Sequence, residues 1–145
     1  MGMNVMTAVP TTLFSAAVTV LALLFVFYTG FNVGSMRSKH KISAPAVVGH
    51  PEFECAYRVQ VNTLEQFVIF LPLLWLATLY FHMLPWLPAV FGLVWIIGRI
   101  IYMRGYMAAP EKRGRGFGVT ILATLGLLIL SLIGIVQAWI AVNAT

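Results

Sequence analysis

Aspartate is absent from this chain of 145 residues, glutamate occurs four times, and only 9% of the residues are charged. A soluble domain is about a quarter charged. With 61% of the chain hydrophobic as well, a water-soluble globule is excluded. Cysteine occurs once, as Cys55, which excludes an internal disulfide framework and a multi-cysteine metal site. His40, His50 and His82 fall in loops or at a span end without metal-ligand spacing, so they read as bystanders and no metal is expected. The chain has no Ser-His-Asp order, phosphate-cradling glycine loop or dinucleotide fingerprint. Repeats, low-complexity tracts and linkers are missing too.

What the chain has instead is long apolar runs: Thr12 to Phe27, Phe67 to Phe81, Leu87 to Ile97 continued by Ile100 and Ile101, and Val119 to Ile140. Each approaches the roughly 20 residues that a bilayer crossing needs. The reading is therefore all-α, a bundle of four transmembrane helices over about 11–34, 54–82, 87–108 and 117–141, forming one domain over 1–145. Met1 to Pro10 carries no Lys or Arg, and the apolar run from Leu13 to Phe31 is span length. The first span thus reads as a retained helix rather than a signal peptide.

Nine Lys or Arg against four Glu leave a formal net charge of +5. These charges are too few and too clustered around the spans for nucleic acid, and they serve as topology marks. The connection Ser35 to Phe53 holds Arg37, Lys39 and Lys41, and Ala109 to Gly116 holds Lys112, Arg113 and Arg115. Neither terminal segment carries a charged side chain, and neither does the Met83 to Trp86 turn. With four spans both basic loops fall on one side, which the positive-inside rule makes cytoplasmic. Trp86 and Trp139 suit the opposite interface as belt residues. Gly30 with Gly34, and Gly134 with Ala138, have the small-xxx-small spacing that permits close helix approach.

Ionisable side chains inside spans are costly, so they face protein or water and pair. Arg58, Asn62 and Glu65 stand at i, i+4 and i+7 of the second span, one stripe on one helix face. Arg99, Tyr102 and Tyr106 repeat the arrangement near the same end of the third span at i, i+3 and i+7. A polar pocket in the cytoplasmic third of the bilayer is expected where the two stripes meet. One account is mutual neutralisation of Arg58 with Glu65 or Glu54 to pin helix packing. Against it, a pair would suffice for that, whereas the stripe also spends Gln60, Asn62, Gln66 and two tyrosines. The set suits a zwitterionic ligand: guanidinium for carboxylate, carboxylate for ammonium, amides for peptide groups. Arg99 lies deeper and reads as structural, paired with a carboxylate or backbone carbonyls. Cys55 reads as a small buried residue.

Three stretches carry a resemblance. Phe53 to Glu65 reads Phe-Glu-Cys-Ala-Tyr-Arg-Val-Gln-Val-Asn-Thr-Leu-Glu, and Leu93 to Tyr106 reads Leu-Val-Trp-Ile-Ile-Gly-Arg-Ile-Ile-Tyr-Met-Arg-Gly-Tyr. Pro110 to Gly116 reads Pro-Glu-Lys-Arg-Gly-Arg-Gly. Together they resemble the membrane-associated proteins in eicosanoid and glutathione metabolism, the MAPEG family, and within it look most like the third type of microsomal glutathione transferase. The resemblance covers all four spans. It implies a homotrimer with glutathione as co-substrate, bound between neighbouring subunits near the cytosolic face. Arg58, Gln60, Asn62, Glu65, Tyr102 and Tyr106 match glutathione-binding positions, and Arg37 a further carboxylate contact. Arg113 stands where the family has the arginine that activates the thiol. A permanently charged guanidinium fits that role better than Lys112, although the alternatives are only a residue or two away. Two departures bear on chemistry. The leukotriene-forming member has a second consecutive arginine where this chain has Ser38, and a tyrosine where it has Gln66, which puts leukotriene synthesis in doubt.

The implied activity is conjugation of glutathione thiolate to lipophilic electrophiles that enter from membrane lipid, with peroxidase activity toward lipid hydroperoxides as an extension. Two other readings compete. A non-catalytic lipid-binding scaffold of the same family would have no need of a complete glutathione site. A small four-helix exporter would carry a lone mid-membrane carboxylate, the place Glu65 would take.

Overall fold

The computed structural model describes the backbone of residues 5–144 and the side chains of residues 11–144. Parts of both uncharged ends, Met1 to Asn4 and Thr145, lie outside the described residues. Four helices form, α1 (Val5–His40), α2 (Pro51–Tyr80), α3 (Leu87–Ala108) and α4 (Gly114–Asn143), with a single 3-10 turn over Pro110–Arg113 before α4. All four are long and apolar enough to cross a membrane. The architecture is all-α, as the apolar runs require, because only a helix satisfies its own backbone within one segment in hydrocarbon.

α1, α2 and α4 differ from the sequence reading at both ends, by two to six residues, and three of those ends bear on the basic segments. The first helix continues past Gly34 to His40, so Arg37 and Lys39 sit in its last turn rather than in a loop. At about 1.5 Å per residue its 36 residues span about 54 Å, more than the roughly 30 Å of a hydrocarbon core. That length is enough for the basic last turn to stand beyond the bilayer, and its cations meet the unsatisfied carbonyls of the helix end favourably. Lys41 ends the helix in a left-handed conformation (φ 54°). The second helix begins at Pro51 rather than Glu54, with the fixed φ of proline suiting its first turn. His50 caps it, its Nδ1 accepting the Glu52 backbone N–H at 3.2 Å. The fourth begins at Gly114 instead of Phe117.

His40 and His50 are not bystanders. Their rings stack with centroids 3.6 Å apart. Glu52 lies 2.8 Å from His40 Nε2 and 2.8 Å from Lys39 Nζ, clipping the end of α1 to the start of α2. Loop closure brought His40, His50 and Glu52 together; their spacing in the chain gave no sign of it.

α2 and α3 form the middle of the bundle, with α1 packed on both and α4 on both from the other side. Trp95 of α3 stacks on Phe70 of α2 (4.1 Å, 9°) at the centre of the core, among Val18, Leu74 and Leu127. Threonine and serine supply buried polar links, such as Ser15 Oγ to Thr78 Oγ1 at 2.7 Å. The closest helix approach is between α3 and α4. A Cβ on Gly116 would collide with the backbone N of Tyr102, and one on Gly98 would lie 2.8 Å from the backbone N of Thr120. Of the glycines with small-xxx-small spacing, Gly134 does lie tight against the Tyr80 backbone, whereas nothing stands near Gly34. Trp86 and Trp139 are exposed at the end remote from the basic loops, the placement expected of belt residues.

Candidate functional site

The packing of α3 against α2 brings their polar stripes to one cavity of about 510 Å³, lined also by the 3-10 turn and the start of α4. Arg58, Asn62 and Glu65 enter from α2, Tyr102 and Tyr106 from α3, and Arg113 from the 3-10 turn. Six of the eight predicted site residues thus share one space. Gln66, Arg99, Gly114 and Phe117 complete the lining.

Hydrogen bonds and ring contacts fix part of this lining. Asn62 Nδ2 donates to the Tyr102 hydroxyl at 2.7 Å, tying α2 to α3 at the level of the site. The two tyrosine rings meet edge to face at 5.6 Å. Arg113 Nη1 reaches the Tyr106 hydroxyl at 3.5 Å, with the guanidinium 5.4 Å from that ring's centroid. The cation is held at the rim without losing its charge to a carboxylate.

Arg58 and Glu65 are exposed, and neither forms an ion pair among the described residues, where the ion pairs belong to Glu52. The account in which Arg58 neutralises Glu65 or Glu54 to pin packing is therefore not what the side chains do. One free cation and one free anion, two helical turns apart on one helix face, border the same cavity.

Arg99 departs from its expected partners. It is fully buried, and its Nη2 donates to Thr63 Oγ1 at 2.7 Å while its guanidinium covers the Tyr102 ring at 4.0 Å. No carboxylate or carbonyl holds it, and its Nε and Nη1 have no hydrogen-bond partner. A buried guanidinium with two unspent N–H groups leaves donor capacity beneath the cavity, at a position whose sequence context suggested packing alone.

Two predicted residues lie elsewhere in this chain. Gln60 is two residues, about 200°, round the helix from Arg58 and faces α1, where its Nε2 would stand 3.0 Å from a Cβ on Gly30. Arg37 donates from Nη1 to the Ala46 carbonyl at 2.7 Å and covers the Phe53 ring at 4.7 Å. The i+2 offset of Gln60 already placed it off the stripe. Cys55 is half-buried against the cluster of Val59, Tyr102 and Tyr106, in keeping with a packing role.

The model of the MAPEG family matches residues 15–133. An uncharacterised protein of Synechocystis sp. is 42% identical over 123 residues, 85% of this chain and 88% of its own. Human microsomal glutathione S-transferase 2 is 38% identical over 125 residues, 86% of this chain and 84% of its own. The leukotriene C4 synthase of Cavia porcellus is 40% identical over 121 residues, covering 78% and 79%.

Proposed function

The chain belongs to the MAPEG family, and from that premise we propose that it is an integral membrane glutathione transferase, conjugating glutathione to lipophilic electrophiles. The observation that carries this reading is the cavity in which unpaired Arg58 and Glu65, with Asn62, Tyr102, Tyr106 and Arg113, face one space. Glutathione carries two carboxylates, one ammonium and two peptide groups. Arg58 would hold a carboxylate, Glu65 the ammonium, and Asn62 with the tyrosines the peptide groups.

Catalysis needs the thiolate, since a free thiol titrates near pH 8.5 and is mostly protonated at pH 7. A guanidinium beside the sulfur favours the anion and raises the reactive fraction. Arg113, at the cavity rim, takes that role. The sulfur then bonds to the electrophilic carbon, and the departing group, or the oxygen of an opened epoxide, takes a proton. With a lipid hydroperoxide the same thiolate would attack oxygen, and a second glutathione would complete the disulfide, leaving alcohol and water. Ser38 and Gln66, where leukotriene-forming relatives differ, argue against leukotriene synthesis.

Arg37 and Gln60 do not reach the cavity of their own chain. In a homotrimer they would serve the site of a neighbouring copy, and the exposure of Arg58 and Glu65 leaves that side of the cavity free for a neighbour. The basic loops, and with them the site, would face the cytoplasm.

Equilibrium binding of glutathione to the detergent-purified full chain tests the proposal. Binding below millimolar concentration is expected. Arg58→Ala and Glu65→Gln should each weaken it by roughly ten- to a hundredfold, the worth of a hydrogen bond to a charged group, without altering the assembly. Absence of binding at millimolar glutathione would overturn the reading.

A further inference from the structure

A second recess, of about 700 Å³, opens where the end of α3 meets the start of α4. Arg104, Lys112 and Arg115 surround it, Glu111 stands at its rim, and Ile101 forms its wall toward the bilayer. Arg104 is about 200° round α3 from Tyr102, so its side chain leaves the helix on the side away from the glutathione cavity, and Gly114 borders both spaces. All three cations are exposed, and none of their side chains has a hydrogen bond or ion pair among the described residues.

The position of Arg104 asks for an anion. Topology needs basic residues in loops, yet Arg104 lies inside α3, above the exposed Leu93, Ile97 and Ile101 at helical spacing. Arg115 caps a matching stripe on α4, where exposed Leu122 and Leu125 follow at i+7 and i+10. Two lipid-facing stripes therefore converge on one cationic recess at the interface. An arginine on a lipid-facing helix side normally finds a partner or reaches for headgroups.

We propose that this recess is a binding site for one anionic phospholipid of the leaflet facing the basic loops, with its phosphodiester between Arg104, Lys112 and Arg115 and a chain along Ile101. Three cations against one carboxylate leave a net positive site that matches a monoanionic headgroup, and the apolar wall matches acyl chain. Each cation near an anionic headgroup contributes about fivefold in affinity.

Native mass spectrometry of the full chain in detergent counts single lipid-binding events and reads the assembly mass together with them. The probes are phosphatidylglycerol, phosphatidylcholine of the same chains, and glycerol 3-phosphate as the headgroup alone. The first phosphatidylglycerol is expected to bind about tenfold more tightly than the first phosphatidylcholine, without competition from glycerol 3-phosphate. R104Q/R115Q should remove that preference while leaving glutathione turnover unchanged. E111Q, a single exposed substitution, tests the same field with opposite sign and should raise phosphatidylglycerol affinity about fivefold. Equal affinity for the two lipids, a preference that survives R104Q/R115Q, or an unchanged affinity in E111Q would overturn the proposal. Displacement by glycerol 3-phosphate would make this a site for soluble phosphate esters. A changed assembly mass in R104Q/R115Q would make the recess a subunit contact. Either result overturns the lipid assignment.

Discussion

At the scale of single residues, the division of labour among the arginines follows from where each side chain ends. Arg58 ends free at an open cavity edge, Arg99 ends buried under Tyr102, and Arg113 ends at the rim beside Tyr106. Of the arginines lining the cavity, Arg113 is the exposed one that stands outside the ligand-holding stripe of α2, so its loss should fall on thiol ionisation more than on binding. Arg113→Ala is expected to lower kcat by on the order of ten- to thirtyfold at pH 7, with a smaller change in KM for glutathione. The lost rate should partly return as pH rises toward the free thiol's pKa, because the thiol then ionises unaided. Ultraviolet absorbance of bound thiolate across pH is the measurement. If the apparent thiol pKa of Arg113→Ala equals that of the parent protein, Arg113 is not the activating group.

At the scale of helices, the site depends on how closely α3 can lie against α4. Gly116 lets the start of α4 rest on the Tyr102 backbone, and Tyr102 in turn receives the Asn62 hydrogen bond at 2.7 Å. A side chain at position 116 would push α4 outward and carry the Arg113 turn with it. Gly116→Val is expected to destabilise by about 1–3 kcal/mol, the usual cost of overpacking. The midpoint of thermal unfolding in detergent should fall, with glutathione affinity falling alongside. An unchanged midpoint would show that the interface can yield. None of this was visible in the spacing of small residues, since the glycines that matter, Gly98 and Gly116, stand on different helices and form no motif along the chain.

At the scale of the whole molecule, four antiparallel spans put both basic segments at one end, and the structure adds that the two segments differ. The first is clipped together through Glu52, Lys39 and His40, whereas the second carries the cavity rim on one side and a free cationic recess on the other. Single-cysteine labelling in a Cys55-free background reports the side of the membrane. Cysteines placed at the exposed Lys41 and Lys112 should both react with an impermeant reagent from the same face, the cytoplasmic one. Labelling of the two positions from opposite faces would contradict a four-span arrangement.

The sequence by itself determined the spans, the shared end of the basic loops and the α2 and α3 stripes, because helix period and hydrocarbon thickness act locally along the chain. Hence Arg58, Asn62 and Glu65, and Tyr102 with Tyr106, are legible from helical period alone, and Arg113 from the family resemblance of its loop. The helix ends were less legible: His50 is an uncommon cap, and the extension of α1 to His40 breaks no local rule. Tertiary packing alone decided which polar groups pair. It left Arg58 and Glu65 free, gave Arg99 a threonine and a tyrosine ring rather than a carboxylate, turned Gln60 toward α1, and drew His40, His50 and Glu52 together. Pairing depends on distances between separate helices, and those are set by side-chain volume at contacts such as Gly98 and Gly116, which no period along one helix encodes.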